Sequence, residues 1–416
     1  MSATQTVDER LQALIASDPD AMRDQDAILA EARETAPVID LGWVCFVTRH
    51  AGVKQVLRDP RGFLNATDGQ GTRAALARAQ LETADLRRTL DEVFRFESNF
   101  ITRVDGDVHR RIRRIVQHAF APKRIAELGE AVDRYCDELL APLRDGEEAD
   151  LMPFAYRLPL MIVCDMLGVP HADRELVHDW SLAIGRNRGG LEAGPLIDAH
   201  KAEVEFQAYI QEMIDHHRRS PGSGGPLVAS LLDAEEEDGI TAAELAANVI
   251  VILFAGHETT TSLLGGSVLS LLEAPDRWHA LVDDPDAIPT AVRELLRFVS
   301  PVQWMQRYAP DEIEVEGVTI PAGRTANPCL ASANRDPRVF ADADAVDLRR
   351  SNLRESLGFG IGIHYCLGAN LATLEGSIAI RTLTRRFPGL ALVEDEAQWA
   401  GNPQLRRPAS LCVALA

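Results

Sequence analysis

Lysine is almost absent from this chain. Among 43 basic residues only Lys54, Lys123 and Lys201 are lysines. Positive charge is also outnumbered, 63 acidic residues to 43 basic, for a net charge of −20. That balance excludes nucleic acid as the main partner, because phosphate binding needs a basic face. Cysteine is sparse and scattered: Cys45, Cys136, Cys164, Cys329, Cys366 and Cys412, with no CxxC. A zinc ribbon or thioredoxin-like site is excluded by that spacing. A disulfide framework is not expected in a long chain whose start, MSATQTVDER, is polar and carries no secretory signal. The most apolar run, Val249 to Gly256, is far shorter than the ~20 residues of a membrane span. No repeat of 20–50 residues and no low-complexity linker divides the chain. The expectation is a cytoplasmic protein in a reducing compartment, with no membrane contact.

What is present is ordinary globular material: 46% hydrophobic and 25% charged residues over 416 positions. Two or three domains, or one large helical domain, fit that length. Helical periodicity dominates, over about 6–16, 50–58, 107–118, 123–143, 153–166, 171–185, 195–219, 241–273, 276–282, 289–299 and 368–386. Strand-like runs are short: Val38–Leu41, Val44–Thr48, Ile313–Val318, Thr325–Leu330 and Ser410–Leu415. The fold class is mainly α with small β-sheets. The glycine-rich joints Arg186–Gly194 and Ser220–Pro226 flank one long polar helix. They are either hinges of a lid or plain solvated connections.

The longest helix starts at a capping box, Thr241 to Glu244, and ends at Pro275. Its apolar middle predicts burial on all sides. Inside it sits Ala255-Gly256-His257-Glu258-Thr259-Thr260. A buried Glu is unfavourable unless partnered, and Gly256 weakens the helix by roughly 1 kcal/mol against Ala. Two readings stand. Either the helix opens here onto a ligand, or Thr259 bonds back to a carbonyl and Glu258 meets a nearby Arg.

Near the end comes Phe359-Gly360-Ile361-Gly362-Ile363-His364-Tyr365-Cys366-Leu367-Gly368-Ala369. Alternate glycines permit positive φ and close approach to a flat group. Cys366 falls just before a helix, where free amides and the dipole favour a thiolate. A soft anionic sulfur there suits an iron ligand. A nucleotide loop does not fit, since no βαβ unit surrounds the glycines. The other five cysteines read as small buried hydrophobes.

FxxGxHxCxG resembles the haem-binding loop of the cytochrome P-450 family, and the chain is similar to its soluble bacterial members along nearly its whole length. Glu294-Leu295-Leu296-Arg297 matches the family's ExxR pair, about 70 residues before the Cys loop. Ala333-Asn334-Arg335-Asp336-Pro337 and the Asp344–Arg350 stretch match as well. The resemblance implies one triangular, helix-rich haem domain over 1–416, with no fused reductase. Haem b would lie between the long central helix and the Cys-loop helix, with Cys366 as axial ligand. Ala255, Phe359 and Gly368 would line it. His109, Arg113, Arg307 and His364 would pair its propionates, and Glu294, Arg297 and Arg350 would form a structural network behind it. The chain departs from the family's habit at Ser356, Glu355 and Thr373.

The implied activity is a haem-thiolate monooxygenase, inserting one atom of O₂ into a small or medium hydrophobic substrate. Glu258, buried and with a raised pKa, would relay protons, and Thr259 would position them. Electrons would come from a separate ferredoxin or flavodoxin with its reductase, so NAD(P)H acts only indirectly. Arg110, Arg114 and Arg124 would steer that acidic partner. A monomer is expected. A modest apolar pocket is expected from Phe94, Phe96, Phe100, Val251, Phe254, Ala255, Val302 and Trp304, without a cationic anchor, although the stripe Phe94, Phe96 and Phe100 reads equally as ordinary core packing. A peroxide-driven peroxygenase and a non-catalytic haem sensor are the rival functions.

Overall fold

The computed structural model describes residues 5–65, 71–187, 192–220, 225–238, 240–393, 397–400 and 402–416. Residues 188–191 and 221–224 of the two glycine-rich joints lie outside them.

The central helix runs Ala242–Leu272. Its first turn closes on itself. The Glu244 N–H donates to Thr241 Oγ1 at 3.2 Å, and the Thr241 N–H donates to Glu244 Oε2 at 2.8 Å. This is the reciprocal cap the sequence indicated. The 31 residues span ~46 Å at about 1.5 Å each. By length and hydropathy alone the helix is long and apolar enough to cross a membrane, which counting unbroken apolar runs did not register. Protein, however, covers it. Leu245, Val249, Ile250 and Leu253 join one hydrophobic core with Ile112, Leu160, Phe206 and Ile210. Leu264, Val268, Leu269 and Leu272 join a second with Leu295, Ala379 and Leu383. One helix thus ties two cores together, and each end anchors the exposed stretch between them.

Three small sheets complete the fold. Val38–Asp40, Val44–Val47, Thr325–Pro328 and Arg307–Tyr308 pair in that order, the middle two strands parallel, with Phe46 opposite Asn327. Strand alternation places Thr325 and Asn327 on one face and Ala326 on the other. Ile313–Val315 and Val318–Ile320 form a hairpin, and Glu148–Asp150, Cys412–Ala414 and Ala391–Leu392 form a third sheet. The expected single strand over 313–318 is therefore a strand, a turn and the first residue of its partner. Glu316 and Gly317, both at positive φ, make the turn.

The expected helix over 123–143 is two, Pro122–Glu127 and Gly129–Leu140. Helices Gln25–Thr35, Ala84–Glu97 and Pro226–Asp238 carried no clear signal in the sequence. Ala84–Glu97 shows why: half of it is charged and it buries only Leu90, Val93 and Glu97.

Candidate active site

The Cys loop is built by its glycines. Gly360 and Gly362 sit at φ +68° and +82°. A Cβ on Gly362 would stand 2.8 Å from the Leu57 carbonyl oxygen. The Cys366 N–H donates to the Phe359 carbonyl at 3.0 Å, which closes the loop. Gly368 then caps helix Ala369–Arg386, and the Cys366 sulfur remains accessible. Burial pushes the thiol's pKa up, against the Gly368 N–H and Arg113.

Around that loop cations collect. Arg113 Nη2 donates to the Tyr365 carbonyl at 2.6 Å. His109 is buried, and neither ring nitrogen has a protein partner. Burial, then His364 and Arg113, hold its pKa down at about 4. Arg307 is buried and donates to the Gln306 carbonyl at 2.7 Å. Burial lowers it to about 10, with Asp105 pulling upward. His364 Nε2 lies 3.3 Å from Asp105 Oδ1 and is also lowered, chiefly by burial. Asp105, which also accepts the Asn65 N–H at 2.7 Å, was missed in the sequence. Its only signal was an acid just ahead of an arginine-rich helix. Basic groups whose pKa values burial holds down fit an anionic ligand with two carboxylates, which would restore their charge.

Across the central helix, Ala255 is exposed and Thr259 half-exposed, although both lie mid-helix between buried neighbours. Thr259 Oγ1 donates to the Ala255 carbonyl at 2.7 Å, and Thr260, Thr261 and Ser262 repeat the pattern. Such back-bonds bend a helix. Glu258 Oε1 is 3.2 Å from His257 Nε2, and Oε2 is 3.9 Å from Arg407 Nε. Burial pushes the Glu258 pKa up, but His257, Arg407 and His178 together pull it below the ordinary value. The expected raised pKa is corrected: the adjacent His257 of the same helix, with Arg407 and His178 from distant segments, reaches the carboxyl.

Glu294, Arg297 and Arg350 come together. Arg297 grips Glu294 through Nε and Nη2, both at 2.7 Å, and Arg350 Nε reaches both oxygens at 3.1 Å. The remaining guanidinium donors take the carbonyls of Asn334, Ala341, Asp342, Ala343 and Ala345. Two helices and an irregular loop are bound through one buried carboxylate.

A cavity of about 1110 Å³ is lined by Phe254, Glu258, Trp304, Trp43 and Leu182, and also by Arg186, Arg407, Gln306 and Asn327. Two corrections follow. Its wall is partly polar and contains cations. Of the expected pocket residues, Phe254 and Trp304 line it, whereas Phe100 and Val251 are buried in the core, with Phe96 packed on it. Phe94 packs with Leu90, Val93 and Leu196, and Val302 bridges to Leu405. Arg110 pairs with Asp107 of its own helix, and Arg124 donates to Ser230 Oγ at 3.2 Å.

Comparison with known proteins agrees with this geometry. The family model described as Cytochrome P450 matches residues 194–288 and 286–398. Vitamin D(3) 25-hydroxylase of Pseudonocardia autotrophica is 34% identical over 381 residues, 89% of this chain and 86% of that one. Nocardicin C N-oxygenase of Nocardia uniformis is 35% identical over 373 residues, covering 88% of each chain. CYP109E1 of Bacillus megaterium, solved with testosterone, superposes with a TM-score of 0.83 at 28% identity, over 99% of this chain and 100% of that one. The chain belongs to the cytochrome P450 family. It is an oxidoreductase of the monooxygenase type. The P450 family implies haem, and the residues present fit it. An exposed Cys366 after a glycine loop, an Ala255 exposed in mid-helix, and a buried histidine without partners are what a flat, dianionic, iron-bearing group requires.

Proposed function

We propose that this P450 is a single-domain haem-thiolate monooxygenase that oxidises a hydrophobic substrate with electrons from a separate ferredoxin or flavodoxin and its reductase. The observation that supports it best is the exposed Cys366 beside a cluster of basic side chains that includes the buried His109, whose ring nitrogens have no protein partner. Cys366 would hold the haem iron, and His109, Arg113, Arg307 and His364 its propionates. When bound, the haem supplies the redox chemistry of O₂ activation. Glu258 is ionised at neutral pH and is placed to take up and hand on protons. Thr259 donates to Ala255 and keeps lone pairs free to accept a hydrogen bond. Phe254, Trp304 and Trp43 would hold the substrate's apolar body, and the polar wall its oxygenated end. Beside the Cys loop, a groove lined by Phe359 and Tyr365 carries Arg293, Arg354 and Arg381, a surface suited to an acidic electron donor.

The test is spectroscopic first. The reduced protein with carbon monoxide should show a red-shifted thiolate band, which Cys366→Ser abolishes. Product is then measured with testosterone and vitamin D3 as probes. Turnover with NADH, ferredoxin and reductase, falling as salt rises, supports the reading. Equal turnover with peroxide alone would favour a peroxygenase.

A further inference from the structure

Glu258 lines the substrate cavity. A seated substrate would keep bulk water off that face, so protons must reach Glu258 from elsewhere. Behind it lies a cluster that the proposed chemistry has not used. Tyr156 comes from helix Met152–Leu167 and His178 from helix Arg174–Arg186. His257 precedes Glu258 on the central helix. The Tyr156 ring centroid is 4.5 Å from His178 and 5.4 Å from His257. The two histidine rings are 6.3 Å apart. None of the three lines the cavity.

Three polar atoms in this cluster are buried without a hydrogen-bond partner: Tyr156 Oη, His257 Nε2 and Glu258 Oε1. His257 Nε2 and Glu258 Oε1 are close, at 3.2 Å, but not aligned. Leaving such atoms unsatisfied costs about 1–3 kcal/mol each, and native proteins rarely keep several side by side without a use. At the outer end, His178 Nδ1 lies 3.0 Å from Asp179 Oδ1, whose side chain is 75% exposed.

We propose that His178, Tyr156 and His257 form a proton lane from the surface at Asp179 to Glu258. The inference rests on the reading of Glu258 as the proton-handling carboxylate. His178 accepts a proton on one ring nitrogen and releases one from the other, and Tyr156 Oη accepts one as it gives up its own. His257, whose Nδ1 faces the Leu253 carbonyl at 3.4 Å, takes up and passes on the proton at Nε2, so one proton crosses with no net change in the lane. Small ring rotations or a bridging water close the gaps. Arg407, the other charged group facing Glu258, has no acceptor and cannot relay. It fixes the carboxylate instead. Burial, then His257, also lowers the His178 pKa, which leaves it neutral and able to accept at pH 7. The three are positioning residues, acting through Glu258.

The test uses the haem-loaded full chain. NADH-driven oxygen consumption with saturating testosterone, which keeps bulk water off Glu258, is followed with a plant-type ferredoxin and its reductase, across pH 5.5–8.5, in H₂O and D₂O. Variants are Glu258→Gln, His178→Gln and Tyr156→Phe, the last keeping the ring packing. Glu258→Gln should slow consumption at least about tenfold, below the 10²–10⁴ typical of a positioned proton donor. His178→Gln and Tyr156→Phe should slow it less, raise the solvent isotope effect and alter the pH profile. A second readout needs no turnover. Infrared titration of the Glu258 carboxylate should give a higher midpoint in His257→Gln and His178→Gln. If His178→Gln and Tyr156→Phe match the parent in rate, isotope effect and pH profile while Glu258→Gln is slow, the lane is refuted and the role of Glu258 stands. If Glu258→Gln is itself silent, that role falls and the lane with it.

Discussion

The ring of His109 lies 4.0 Å from that of His364, and no protein group meets either nitrogen of His109. Two basic rings in contact, one fully buried, cannot both be charged without an anion between or beside them. Burial and that neighbour hold His109 at about 4, against an ordinary 6.5. The sign is clear. The unfolded chain takes up the proton near pH 6.5, and the folded chain only near pH 4. Haem-free protein should therefore lose stability as pH falls through that window, by up to about 3 kcal/mol. His109→Gln should flatten the slope, and haem should do so too by supplying carboxylates. Urea midpoints at pH 7 and pH 4.5 check this. An unchanged slope in His109→Gln would assign the loss to other groups.

Arg297 is fully buried and holds Glu294, and Arg350 holds the same carboxylate. Arg297→Ala should destabilise the chain by about 3–5 kcal/mol, the range for stranding a buried charge. Arg350→Ala should cost less, because the bidentate Arg297 pair survives it. Urea denaturation of both variants should preserve that order. Equal losses would mean that the guanidinium–carbonyl bonds, rather than the carboxylate, decide the network's strength.

Thr259→Ala removes only a bond to the Ala255 carbonyl of the same helix. Ala is the better helix former, so stability should change by less than about 1 kcal/mol. Substrate binding should persist while peroxide released per NADH rises. Stoichiometry of NADH, peroxide and product measures it. Full coupling in the variant would show that proton placement does not depend on this hydroxyl.

Gly362 combines positive φ with a clash that any Cβ would make against the Leu57 backbone. Gly362→Ala should therefore shift the loop rather than be absorbed by it, with strain on the order of 1–3 kcal/mol. Gly317, also at positive φ but facing open space, is the control. Haem retention on dilution should fall for Gly362→Ala and hold for Gly317→Ala.

Much of this protein was legible in its sequence because the relevant physics is short-range. Thr241 and Glu244 cap a helix three residues apart, Glu294 and Arg297 share one face by helical period, and Gly360 to Gly368 prescribe a loop whatever surrounds it. The family resemblance rests on those same local signals. What a residue meets across the fold was not legible. Phe100 read equally as a pocket or a core aromatic and is a core residue; Asp105 read as nothing and meets His364. Glu258 read as a buried acid with a raised pKa, and the adjacent His257, helped by Arg407 and His178 brought in from distant parts of the chain, reversed the sign. Local geometry follows from neighbours along the chain. Burial and electrostatic potential sum over neighbours in space, which only the tertiary structure selects.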